Sequence, residues 1–392
     1  MLDTILYIVA FVIPLLLVPM LMPLIALMAH RIKLTDNPNF RKLQRNPVAV
    51  MGGMVVVGVI CFTLVCMDMF VSMDRLFPAM CVIVILFVVG MVDDTLDLKY
   101  SSKLVLQIFI VTLLFIGGRY RAADLGGFLG IHELPLIASY FLSLFLGLYY
   151  INALNFIDGI DGLSSGLGAL SSAFIALWCV QHGVVEHALM SLSFCGALFA
   201  FFFFNVFSKK YKMYMGDSGS LVLGVYAYMS ACMDPNKFVL GDYVTDQYIF
   251  SFTMAIFSAP LFDLARVCFC RVLDHKSPFK PDRTHLHHLY VDMGYTHFVA
   301  TLYIIAANAL VLGVWYLTAW LLIPVFWQTF SVGAMAFISI CLPYFVVDYQ
   351  RKNKPELYEA RKARAKRISA SFAKFESAMT HYIDGKKPAS NG

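Results

Sequence analysis

Residues 4–29 read TILYIVAFVIPLLLVPMLMPLIALMA, an apolar run without a single charged side chain. A helix rises about 1.5 Å per residue, so about 20 apolar residues cross the hydrocarbon of a bilayer. This stretch crosses it with length to spare. No basic residue precedes it, and it is too long for the core of a signal peptide, so it reads as a retained first span. Working outward, ten further apolar stretches follow, at 48–71, 77–92, 104–118, 135–154, 163–181, 188–207, 219–233, 247–270, 298–319 and 326–347. The composition agrees: 60% of the 392 residues are hydrophobic and 14% charged, and the mean hydropathy is +0.73. A soluble domain has roughly 45–50% apolar and about 25% charged residues. The expectation is an all-α polytopic membrane protein with about eleven transmembrane helices.

Basic residues orient such a chain, because short cytoplasmic loops carry an excess of Lys and Arg. With the N-terminus outside and the C-terminus cytoplasmic, 26 of the 30 basic residues fall inside. Only Arg75, Arg119, Arg121 and Lys237 fall outside. The organisation predicted is a multi-span domain over 1–347 and a basic cytoplasmic tail over 348–392. The tail is helix-forming to Gly385 and disordered over Lys386–Gly392. Its run Arg361-Lys362-Ala363-Arg364-Ala365-Lys366-Arg367 reads either as an ordinary positive-inside anchor or as a site on anionic headgroups. The nine cysteines contain no C-x-x-C pair and sit almost entirely within spans, as small apolar fillers do.

Four inner loops carry polar clusters, and the outer loops carry none. Asp93-Asp94-Thr95-Leu96-Asp97 ends the third span. Paired carboxylates at a membrane edge need a cation to offset them, and hard carboxylate oxygens suit Mg²⁺, which keeps waters and bridges to phosphate. The plain alternative is a solvated loop start. In the second cluster Asn152, Asn155, Asp158 and Asp161 recur at every third position, with Gly159 and Gly162 between and after. That spacing lines one side of a helix end; a polar contact between helices is the alternative. Third, Gly216-Asp217-Ser218-Gly219-Ser220 opens the eighth span behind Lys209, Lys210 and Lys212. This fits an anion site at a helix start, or an Asp cap. Fourth, Arg283-Thr284-His285-Leu286-His287-His288 packs three imidazoles into four positions. These residues bind zinc, hydrogen-bond phosphate or shuttle protons. No Cys or H-x-x-x-H partner accompanies them for zinc, and Arg283 favours a diphosphate. Together the clusters hold the parts of phosphoryl transfer, which is mostly positioning and charge neutralisation.

In this order the four motifs, with Asp36-Asn37-Pro38-Asn39-Phe40-Arg41-Lys42 and Gly52-Gly53 ahead of them, resemble the polyprenyl-phosphate N-acetylhexosamine-1-phosphate transferases. The resemblance covers roughly residues 30–300. The last loop is similar to the WecA/TagO-like branch, which starts surface polymers, rather than to the branch making the peptidoglycan precursor. It implies that UDP-GlcNAc and undecaprenyl phosphate give undecaprenyl-diphosphate-GlcNAc and UMP with Mg²⁺, or alternatively Mn²⁺. It also implies roles. Asp217 is the prime metal ligand and Asn155 a second. Asp93 and Asp94 act at the lipid phosphate, one as base or metal-orienting group, and Lys103 meets that phosphate. Asn152, Asp158 and Asp161 line the nucleotide pocket, and Arg283, His285, His287 and His288 hold the diphosphate or amino sugar. Direct in-line attack is preferred to an aspartyl intermediate. The expected setting is the bacterial cytoplasmic membrane, among membrane lipids, with a homodimer admissible and no nucleic acid. The compact, basic loop 277–288 favours UDP-GlcNAc over a UDP-MurNAc-pentapeptide, while other UDP-amino sugars stay open. The competing class is a secondary transporter, which places ionisable groups near the midplane. Here Asp263 and Arg266 lie within a span, where a mutual ion pair accounts for them.

Overall fold

The computed structural model describes residues 2–32, 35–36, 48–74, 76–96, 98–117, 120–123, 125, 127–131, 133–233, 249–277 and 283–385. Asp97, the segment 37–47 and the expected disorder at 386–392 lie outside these residues. Among the described residues every expected span is mainly helical. The helices are α1 (Leu2–Arg31), α2 (Gly52–Asp68), α3 (Phe77–Leu96), α4 (Tyr100–Ile116), α5 (Leu136–Phe156), α6 (Leu163–Gln181), α7 (Val185–Phe207) and α8 (Gly216–Ala231). They continue as α9 (Ile249–Ile256), α10 (Ser258–Leu273), α11 (Leu286–Asp292), α12 (His297–Trp320), α13 (Val325–Ala336), α14 (Leu342–Asn353) and α15 (Pro355–Ile383). A π-helical turn, Phe337–Cys341, joins α13 to α14. The strands β1 (Thr35–Asp36) and β2 (Val48–Ala49) pair antiparallel.

Among the described residues, seven helices are long and apolar enough to cross a membrane, with Val325–Asn353 taken as one run. The expected number is larger because α2 and α4 are apolar but only 17 residues long. In addition α8 has 16 residues, and the expected ninth span is two helices. The surface of α1 explains why the chain belongs in lipid. Leu6, Ala10, Pro14, Val18, Met22 and Ala26 are buried at every fourth position. Ile8, Leu16, Met20, Leu24 and Leu27 are all more than half exposed. A soluble protein does not leave so long an apolar face to water. The chain is an all-α, multi-pass membrane protein.

The chain divides into two compact units. Unit 1 holds Met1–Leu114, Ser164–Tyr226 and Lys374–Gly392. In it α1 packs on α7 and α2, and α2 packs on α3. The segment entering α8 is zipped to the segment entering α2. Tyr214 N donates to Ala49 O (2.8 Å), Gly52 N to Tyr214 O (2.9 Å) and Gly53 N to Met215 O (2.9 Å). Close approach requires missing side chains. A methyl at Gly90 of α3 would lie 2.5 Å from Ser218 N, and one at Gly53 would lie 2.6 Å from Ser218 Oγ. Helices α2, α3 and α8 therefore converge where the sequence supplies glycine.

Unit 2 holds Phe115–Leu163 and Ala227–Ala373. Here α10 packs on α5, and α12 packs on α9, α10, α11 and α13. The α9–α10 break at Phe257 leaves backbone groups that need partners, and the fully buried Asn308 of α12 supplies them. Its amide donates to Ile256 O (2.8 Å), and its carbonyl oxygen accepts from Ala259 N (2.9 Å) and Ser258 Oγ (3.0 Å). One side chain thus caps both sides of the break. Replacing Asn308 by Leu keeps the branched side-chain skeleton and strands those groups, which costs about 1–3 kcal/mol for each buried group left unpaired. Thermal unfolding of Asn308→Leu in detergent is expected to fall clearly below that of the parent protein.

Candidate active site

In unit 1, four of the sequence-predicted residues come together at the N-terminus of α8. The last turn of α3 carries Asp93 and Asp94. Asp93, almost fully buried, accepts Leu98 N (2.9 Å) across the α3–α4 turn and is ion-paired with Lys103. Lys103, one turn into α4, also reaches Asp217 Oδ2 at 2.9 Å. Asp94 uses both oxygens on the first turn of α8: Asp217 N donates to Oδ1 (2.8 Å) and Ser218 N to Oδ2 (3.1 Å). The cation demanded by paired carboxylates is thus present for Asp93, as Lys103. For Asp94 the offset is the partial positive charge of a helix start. Gly216, at φ +69°, makes the sharp entry into α8, and a side chain there would strike Asp94 Oδ2.

In unit 2 the imidazoles form a second cluster, organised by Asp263. His285 Nδ1 lies 2.9 Å from Asp263 Oδ2. Arg266 donates to Asp263 Oδ1 (2.5 Å) and to Thr284 O (2.8 Å), and Leu286 N donates to both Asp263 oxygens (3.1 and 3.2 Å). The Arg266 guanidinium also stacks 3.6 Å from the Tyr344 ring centroid. The expected Asp263–Arg266 ion pair is therefore there, and it has a further use: it fixes the start of α11 and with it the histidines. His287 is buried, and among the described residues no hydrogen bond reaches either ring nitrogen. Its ring packs against those of His285 and His288 and so close to Gly159 that a methyl there would overlap Nε2. Burial, then the neighbouring His288, pushes His287 well below its ordinary pKa. Burial, then Arg283, lowers His288 from 6.5 to about 4.

The helical spacing of the second motif holds only in part. Helix α5 ends at Phe156, so Asn152 and Asn155 lie on it while Asp158 and Asp161 lie in the turns that follow. The Asn152 amide donates to Leu148 O of its own helix (2.7 Å). Asn155 and Asp158 are half-buried. Asp161 Oδ2 lies 2.7 Å from His297 Nδ1, and Thr301 Oγ1 donates to Asp161 O (3.0 Å). His297 went unnoticed in the sequence because it stands outside every motif. The available signal was Thr296, whose Oγ1 accepts Val299 N and so marks His297 as the first residue of α12. Arg283 is half-exposed and paired with Asp292 at 3.0 Å.

Carboxylates and an ammonium gathered at a helix N-terminus, and a buried imidazole cluster in the same multi-helix membrane protein, define a membrane enzyme equipped for phosphate chemistry. Residues 76–233 match the family described as Glycosyl transferase family 4. The chain is 31% identical over 288 residues to the undecaprenyl-phosphate alpha-N-acetylglucosaminyl 1-phosphate transferase of Escherichia coli (strain K12), covering 72% of this chain and 76% of that protein. It is 29% identical to the protein of the same name from Yersinia pestis over 72% of this chain and 76% of that one. Against a probable undecaprenyl-phosphate N-acetylglucosaminyl 1-phosphate transferase of Bacillus subtilis (strain 168) the identity is 28% over 76% of this chain and 80% of that one. The chain belongs to glycosyl transferase family 4, in its WecA/TagO-like branch, and is a phosphosugar transferase.

Two outcomes follow from this geometry. Gly90→Ala pushes α3 away from α8, and a misplacement near 1 Å costs about 100-fold in turnover. Transferase assays on protein that elutes normally from size exclusion check this. Lowered imidazole pKa values mean that the unfolded chain binds more protons below pH 6.5 than the folded one. The stability carried by neutral His288 is complete above 6.5 and is lost as pH falls toward about 4. Unfolding temperatures measured across that window should decline, and more shallowly in His288→Gln.

Proposed function

We propose that this transferase moves an N-acetylhexosamine-1-phosphate, GlcNAc-1-phosphate first among them, from a UDP-sugar to undecaprenyl phosphate. A lipid phosphate oxygen attacks the phosphorus that bears the sugar, the bond to the uridylyl phosphate breaks, and UMP leaves. The observation that carries this reading is Lys103 held between Asp93 and Asp217 at the capped start of α8. It is a prepared centre of mixed charge, as transfer between two anionic substrates requires.

The donor set fits Mg²⁺. Hard carboxylate oxygens from Asp93 and Asp217 already converge on one cationic group. Among the described residues no three His, Cys, Asp or Glu form a metal cage. Mg²⁺ needs none, taking one or two carboxylates together with substrate phosphates and water. Asp217 would hold it; the family resemblance names Asn155 as a second donor. When bound, the ion supplies Lewis-acid neutralisation of the diphosphate. Asp94 is committed to the α8 amides and orients Asp217. Asp93 is then the carboxylate able to take a proton from the lipid phosphate, whose charge Lys103 steadies.

Asn152, Asp158 and Asp161 hold the nucleotide. His285, with His287 and His288, whose burial lowers their basicity and keeps them neutral, hydrogen-bonds the diphosphate or amino sugar. Arg283 joins them by exchanging Asp292, since an exposed ion pair is worth at most about 1 kcal/mol. The remaining reading places eleven crossings in a bacterial cytoplasmic membrane, N-terminus outside. All four motifs then face the cytoplasm, with 348–392 as a basic tail. The product starts a lipid-linked surface glycan.

Asp217→Asn should lower turnover by at least about 100-fold with folding intact, read as UMP release and as the mass of the lipid product. Offered equal UDP-GlcNAc, UDP-GalNAc and UDP-MurNAc-pentapeptide, the protein should consume UDP-GlcNAc first. Preference for the pentapeptide donor would refute the branch reading of the sugar.

A further inference from the structure

The tail residue Asp384 stands outside every motif and outside the reading above, yet it is buried. It follows the last turn of α15, in the part of the chain that belongs to unit 1. Its carboxylate accepts from Ser208 Oγ (2.6 Å), Lys209 N (3.1 Å) and Lys210 N (3.3 and 3.4 Å). Ser208 Oγ in turn accepts from Tyr211 N (2.8 Å). Just before it in the chain, Phe375 packs edge-on against Phe207. One buried carboxylate therefore gathers the Ser208 hydroxyl and the Lys209 and Lys210 amides.

That turn leads directly to the candidate site. Three residues on, Met213 pairs with Ala49, and its carbonyl accepts the buried Asn205 amide (2.8 Å). Tyr214 and Met215 are zipped to β2 and the start of α2, and Gly216-Asp217 opens α8 beneath Asp94. The segment 208–217 is thus fastened at both ends by carboxylates from elsewhere in unit 1, Asp384 at the entry and Asp94 at the exit. Backbone N–H groups shut away from water must be paired. Hydrogen bonds to a charged acceptor are roughly twice as strong as neutral ones.

We propose that Asp384 is a positioning residue, through which the C-terminal helix holds the α7–α8 segment so that Asp217 meets its partners. This rests on Asp217 belonging to the transfer site. Lys209, Lys210 and Lys212 make the segment a trypsin target and give a readout independent of turnover. In full-length protein in detergent, Asp384→Ala should raise cleavage after these lysines by about tenfold, the loss of a charge-assisted set. It should lower kcat by about tenfold, while KM for the lipid phosphate stays within about twofold. Asp384→Glu should restore both. Ser208→Ala, which removes one donor only, should move both in the same direction by less, and serves if Asp384→Ala does not accumulate. Unchanged protection in Asp384→Ala, or raised cleavage with unchanged kcat, overturns the proposal. A wild-type protein inactive with every UDP-sugar would instead refute the transfer reading, and the cleavage ratio alone would then decide the clamp.

Discussion

The hydrogen bonds from Asp217 N and Ser218 N to Asp94 are the contact on which the rest of unit 1 depends. They join the end of one helix to the beginning of another and give a half-buried carboxylate its compensation from the amide groups and dipole of α8. Everything nearby serves that junction. Gly90 and Gly53 let the helices approach. The Ala49–Tyr214 and Gly52–Tyr214 bonds hold the approach in register. Lys103 balances the two remaining carboxylates. With Asp94 removed, α8 would keep its helix but lose the reason to start beside α3.

The same device recurs twice. Asp263 takes Leu286 N at the first residue of α11, and Asp384 takes Lys209 N and Lys210 N ahead of α8. In each case a carboxylate from a distant part of the sequence binds the backbone of a segment that carries the candidate chemistry. The functional loops are therefore not left to their own turn propensities. They are tied down at chosen amides, and their side chains are spared for other work. His287 is the exception, buried with no hydrogen bond to either nitrogen among the described residues and packed against the rings of His285 and His288.

Much of the architecture was legible because hydrocarbon demands long apolar helices, and these are visible as windows. The ends of α1, α5, α6 and α7 fall within a few residues of the expected limits. The break in the ninth span was missed, since its apolar run is continuous. Pro260 was the sign, because proline is at home in the first turn of a helix and not in its interior, and α10 starts at Ser258. At the candidate site, the residue types and the clustering of Asp93, Asp94 and Asp217 were readable, and so was the Asp263–Arg266 pair. The division of labour was not. That Asp94 caps a helix, that Asp161 meets His297 and that Asp263 secures His285 depend on partners 123, 136 and 22 residues away. No local pattern encodes such distances.

Asn308 has a consequence in time. It closes the gap between Ile256 and Ala259, yet it is made 49 residues after Ala259. At about 5–20 residues per second, a nascent chain carries the open break for several seconds before its cap exists. During that interval the Ile256 carbonyl and the Ala259 amide lack the partner that Asn308 gives them. The break is closed only when α12 arrives, so the order of synthesis, and not hydrophobicity alone, sets when this part of the bundle is complete.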